Sequence, residues 1–65
     1  MASLPDSQLS ALASSIEDIS GRVATLAEQL TGEHASESAS ILYEVERTLD
    51  MATRSVNRAR RALPS

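Results

Sequence analysis

Apolar residues recur along this chain at alternating intervals of three and four, and that spacing constrains the fold more than any other feature. Leu9, Leu12, Ile16, Ile19, Val23, Leu26 and Leu30 form one such series, and Leu42, Val45, Leu49, Ala52, Val56, Ala59 and Leu63 form a second. A repeat of this kind places one side chain on the same stripe of a helix every three or four residues, the heptad pattern of a coiled-coil seam. A strand would alternate every second residue, and neither series does. The pattern predicts two long helices, each with an unbroken apolar seam.

The ends of both helices follow from local chemistry. Ser3 and Asp6 have the spacing of a capping box, and Pro5 suits a first turn, where its missing N–H costs little. Gly32 stands where a left-handed residue would end the first helix. Ser36 is a suitable N-cap for the second helix, Glu37 favours its first turn, and Pro64 stops it after Leu63. The expected organisation is therefore a single helical hairpin over residues 1–65. Helix 1 covers about 4–30, a turn 31–35, and helix 2 about 36–63.

A short turn between helices of equal length makes them antiparallel neighbours. The two series then face each other, with Leu26 opposite Leu42, Val23 opposite Val45, Ile19 opposite Leu49, Ile16 opposite Ala52, Leu12 opposite Val56 and Leu9 opposite Ala59. Mostly small residues flank this seam: Ala13, Ser20 and Ala27 on one side of helix 1 with Ser15, Arg22 and Gln29 on the other, and Glu46, Thr53 and Arg60 with Ile41, Thr48, Ser55 and Ala62 on helix 2. A free-standing coiled coil usually carries Glu and Lys there, whereas small flanks leave room for further helices. Ile41, beside Leu42 and Val45, widens the apolar stripe of helix 2. The fold class expected is all-α: a two-helix antiparallel coiled-coil hairpin, completed as a four-helix bundle by dimerisation or by a partner.

Size supports that expectation. Of the 65 residues, 42% are apolar, but ten are Ala and the chain has one Tyr, no Phe and no Trp. A chain this short buries only about 60% of its unfolded surface, and no Cys is present to staple it. Apolar runs never exceed three residues, too short to cross a membrane, and the first residues lack the basic and apolar regions of a secretory leader. These features predict a cytoplasmic protein.

Charge is unevenly distributed. Residues 51–65 carry +4, all of it Arg, whereas residues 1–50 carry −7. Arg54, Arg58, Arg60 and Arg61 complement the dipole at a helix C-terminus, and such a cluster could also meet phosphate or an acidic protein surface. No aromatic residue lies among them to stack on bases. The carboxylates Glu17, Asp18, Glu44, Glu46 and Asp50 fall off the seam, with no Glu-x-x-His to build a bundle metal site. His34, the only His, lies in the turn beside Glu33 and has no second group to make it a general base. Asp18 and Arg22, like Asp50 and Arg54, have the spacing of a helical ion pair.

In outline the expected hairpin resembles the WXG-type helical-hairpin proteins, but the likeness is one of shape alone. The Trp-x-Gly turn is replaced by Thr31-Gly32-Glu33-His34, so membership of that family is not inferred. The function expected is a non-enzymatic protein–protein interaction module, a small adaptor or regulator acting by coiled-coil docking on itself or on a larger protein. Tyr43, Arg47, Met51, Arg54, Arg58, Arg60 and Arg61 are the candidate partner-binding residues, on the outer face of helix 2. The alternative is a small regulator that binds nucleic acid through the Arg-rich end of that helix. No catalytic residue, cofactor, metal, small-molecule substrate or membrane contact is expected.

Overall fold

The computed structural model describes residues 3–32 and 35–64. It is all-helical among them: α1 spans Leu4–Gln29 and α2 spans Ser36–Arg61. Glu33 and His34 lie outside the described residues. The two helices pack against each other along their length. Asp6, in the first turn of α1, meets Arg60, in the last turn of α2, so the helices run antiparallel. The Cα envelope measures 52 × 14 × 9 Å, one helix thick.

The start of α1 is set by its cap. Ser3 has extended backbone, and its hydroxyl accepts a hydrogen bond from the Asp6 N–H at 3.1 Å. Pro5 occupies the first turn, where no N–H is needed. Ser3→Ala should lower stability by about 0.5–2 kcal/mol, read as a fall in the thermal midpoint of the helical circular-dichroism signal.

The other ends differ in detail from the sequence expectation. α1 stops at Gln29 because Leu30 turns to extended backbone (φ −83°, ψ 97°), its N–H bonding back to Leu26 and Ala27. Gly32 has φ +101°, but it sits two residues beyond Leu30, where the chain reverses rather than where the helix ends. The Gly32 carbonyl accepts from the Ala35 N–H at 3.2 Å, closing that turn. Ser36 is the first helical residue of α2, and Ala35 holds the cap position without a side-chain hydrogen bond. At the far end α2 tightens before Pro64: the Leu63 N–H bonds to Arg60, three residues back. Proline disfavours helical backbone in the residue before it and has no N–H of its own to continue the ladder.

The largest difference lies in the seam. Among the described residues only Ala13 and Ala27 are buried, at 7% and 2% exposure. The covered line on α1 runs through Asp6, Leu9, Ala13, Ile16, Ser20, Val23, Ala27 and Leu30, and on α2 through Ala39, Leu42, Glu46, Leu49, Thr53, Val56, Arg60 and Leu63. Large residues at every seventh position (Leu9, Ile16, Val23; Leu42, Leu49, Val56) stay in the seam. On α1 their neighbours there are the small residues expected to flank it, Ala13, Ser20 and Ala27; on α2 they are Ala39, Glu46, Thr53 and Arg60, while Thr48, Ser55 and Ala62 are exposed. Relative to the anticipated seam each helix is turned by about 50°, from the 100° that separates successive residues. Leu12, Ile19 and Leu26 are left exposed at 54%, 47% and 48%, and Val45 at 36%.

The physical reason is backbone approach. A row of Ala13, Ser20 and Ala27 lets the helix axes come closer than a row of Leu, Ile and Leu would. The level set by the Asp6–Arg60 contact, carried along in steps of seven, puts Ala13 beside Thr53, Ser20 beside Glu46 and Ala27 beside Ala39. All six are at least half-buried.

Candidate functional site

Both helices carry the same pattern around the seam, and that equivalence decides where the displaced aliphatic residues go. On α1, Leu12, Ile19 and Leu26 each stand three residues after a seam residue (Leu9, Ile16, Val23). On α2, Val45, Ala52 and Ala59 stand three residues after Leu42, Leu49 and Val56. Two antiparallel helices with the same offset are related by a local two-fold, so both stripes emerge on the same broad side of the hairpin. Exposed Ile41 lies at the margin of that side, one residue before Leu42. The result is an apolar side about 21 Å long at 1.5 Å per residue, without a charged residue in either stripe and with Arg22 at its margin beside Ile19 and Leu26.

The residues singled out from sequence are arranged differently. Tyr43 faces the opposite broad side, half exposed. Arg47, Arg54 and Arg61 follow one another at intervals of seven on the outer flank of α2, and Met51 and Arg58 point directly away from α1. Met51, Arg54, Ser55, Asn57, Arg58 and Arg61 line a shallow groove there. Arg60 is not part of this surface: it turns into the seam, its Nε 3.1 Å from Asp6 Oδ1, with both side chains about two-thirds covered.

Local pairing further reduces the basic character of that end. Arg54 Nη2 lies 3.0 Å from Asp50 Oδ2, an exposed pair within one helical turn. Such a pair contributes only a few tenths of a kcal/mol. Arg58 donates to the Ser55 hydroxyl at 2.8 Å. No carboxylate among the described residues reaches Arg22 within ion-pair distance, so the spacing of Asp18 and Arg22 is not used. Of the four clustered arginines, Arg61 alone has neither a hydrogen-bond nor an ion-pair partner among the described residues.

Among the described residues, no three His, Cys, Asp or Glu side chains gather where they could hold a metal ion. No helix among them is long and apolar enough to cross a membrane. Buried side-chain polar atoms are all hydrogen-bonded within the described residues. The exposed Thr25 and Thr48 hydroxyls and the part-buried Thr53 hydroxyl donate to the carbonyls of Gly21, Glu44 and Leu49 one turn back.

Sequence reasoning placed Leu12, Ile19, Leu26 and Val45 in the interior and so missed them as surface. The signal that could have found them is the second heptad series beside the first, Ala13, Ser20 and Ala27. Two adjacent series cannot both face one partner helix, and the smaller one permits the closer approach. The chain matches no protein-family model, no curated protein and no solved structure.

Proposed function

We propose that this chain is a non-catalytic protein–protein interaction module, and that its working surface is the apolar side bearing Leu12, Ile19, Leu26 and Val45. The observation that supports the reading is the coherence of that side. Single exposed aliphatic residues are ordinary on any protein. A stripe of three spaced by seven along α1, beside a parallel stripe on α2, is instead the pattern by which one helical surface docks on another in the manner of a coiled coil. Groups that could recognise a small molecule are few here, whereas an apolar side spanning about four helical turns suits a partner made of helices.

The test is affinity capture from the native cell with tagged wild-type chain, compared with a Leu12→Ser, Ile19→Ser, Leu26→Ser triple variant. All three positions are about half exposed, so the hairpin should keep its helicity. The expected result is that the triple variant loses the captured protein, a second copy of this chain included, while Arg54→Ala, Arg58→Ala and Arg61→Ala together retain it. Capture that survives the apolar substitutions but fails with the Arg substitutions, or with nuclease treatment, would overturn the reading in favour of the Arg-rich end and nucleic acid.

A further inference from the structure

We propose that the partner covering the apolar side is a second copy of this chain, packed face to face about a two-fold axis that passes beside Ile19 and lies across the helices. The proposal rests on the interaction-module reading and deepens it by naming the occupant and its orientation.

Area is the first argument. A compact monomer of 6.9 kDa exposes about 4,000 Å² by the size scaling of folded proteins. This hairpin exposes 5055 Å². The excess is on the order of 1,000 Å², comparable with the roughly 800 Å² that each partner buries in a stable interface. A side whose Cα envelope is 52 by 14 Å can supply it.

Self-complementarity is the second. Leu12, Ile19 and Leu26 are evenly spaced, so an antiparallel copy of α1 matches the stripe onto itself. Ile19 meets its counterpart at the axis, and Leu12 faces Leu26 of the other copy. On α2 the same axis passes near Thr48, where small neighbours (Ala52, Ser55) allow close approach. The interface is then isologous and closed, with no apolar stripe left over to propagate a filament.

Charge selects the orientation. The half of the hairpin nearest the connection, residues 18–29 and 36–49, holds five acidic side chains and two Arg, net −3. The half nearest the termini, residues 4–17 and 50–61, holds four Arg and three acids, net +1. A two-fold axis along the helices would place both acidic halves together. An axis across the helices sets the acidic half of one copy level with the basic half of the other; Arg54, Arg58 and Arg61 stand off the apolar side, so this preference acts through the overall field rather than by contact.

The experiment is light scattering on the full chain across a dilution series, together with oxidative cross-linking of Ile19→Cys, the native chain having no Cys. The expected mass is twice 6.9 kDa. Ile19→Cys should form a covalent dimer of unchanged helicity, because the two sulfurs meet at the axis, whereas Tyr43→Cys, on the opposite side, should not. Ile19→Asp should weaken the dimer more than about 100-fold, since two carboxylates would be brought together. A monomeric mass at every concentration overturns self-pairing, and so does a dimer in which Ile19→Cys stays reduced. If the triple Ser variant nevertheless loses a captured protein, the wider interaction reading stands with a different occupant. A dimer indifferent to Ile19→Asp likewise overturns self-pairing through this side, and a triple Ser variant that still captures its partner overturns the wider reading as well.

Discussion

Replacing the two buried alanines by leucine, Ala13→Leu with Ala27→Leu, should unfold most of this hairpin, while Leu26→Ala one residue away should leave it folded. The contrast follows from where the structure puts volume. Ala27 is 2% exposed and stands level with Ala39 on α2, so a leucine there has no space without pushing the helices apart. Overpacking of this kind costs about 1–3 kcal/mol per site. The total stability of a 65-residue domain is on the order of 3–10 kcal/mol at the usual value per residue, so two such substitutions consume a large part of it. Leu26, at 48% exposure, leaves no enclosed cavity when truncated. Were Leu26 in the seam, Leu26→Ala would cost about 2–5 kcal/mol and Ala27→Leu would be harmless. Urea unfolding followed by circular dichroism, at concentrations low enough to keep the chain monomeric, reads both variants. If Leu26→Ala proves the costlier, the observed seam is wrong.

That contrast also marks how far the sequence could be read. The number of helices and their packing against each other were legible, because a 3,4 repeat this regular has no strand alternative. The position of α1's cap was legible too, since Ser3 is one of the few residue types whose side chain can accept from a first-turn N–H. Rotation of the helices about their own axes was not. The series through Leu12 and the series through Ala13 differ by one residue, and heptad counting ranks the larger residues as core. What decides between them is the distance of closest approach between two backbones, which depends on both helices at once and is absent from either series alone.

The exposed apolar side was hidden for the same reason. Once Leu12, Ile19 and Leu26 are assigned to the interior, only the charged and isolated residues of α2 remain as candidates. The fate of Arg60 shows the limit at single-residue scale. Its i,i+4 neighbours gave no hint that it would leave the Arg cluster for Asp6, fifty-four residues earlier in the chain. That pairing needs the termini of both helices to be side by side, which is a property of the fold.

The glycines supply a second pair of variants in which one chemical change has opposite signs. Gly21→Ala should stabilise the chain by about 1 kcal/mol, the difference in helix propensity at an interior position. Gly21 lies within α1, its φ is not positive, and a Cβ built there meets nothing within 4 Å. The glycine is therefore not needed for close packing within the hairpin, and the Thr25 hydroxyl that bonds its carbonyl would be undisturbed. Gly32→Ala should instead cost about 1–2 kcal/mol, the penalty for left-handed backbone in a residue with a side chain. Space is open around Gly32 as well, so the loss would come from φ +101° alone. Thermal unfolding of the two single variants and the double gives the check. The sites lie in different elements and share no partner, so the effects should add and the double variant should melt near the parent or slightly below it. If Gly21→Ala destabilised the chain, something outside the hairpin would have to occupy the space beside it, and a covering copy or partner reaching the outer flank of α1 would then be needed to explain why a helix this regular keeps a glycine at its middle.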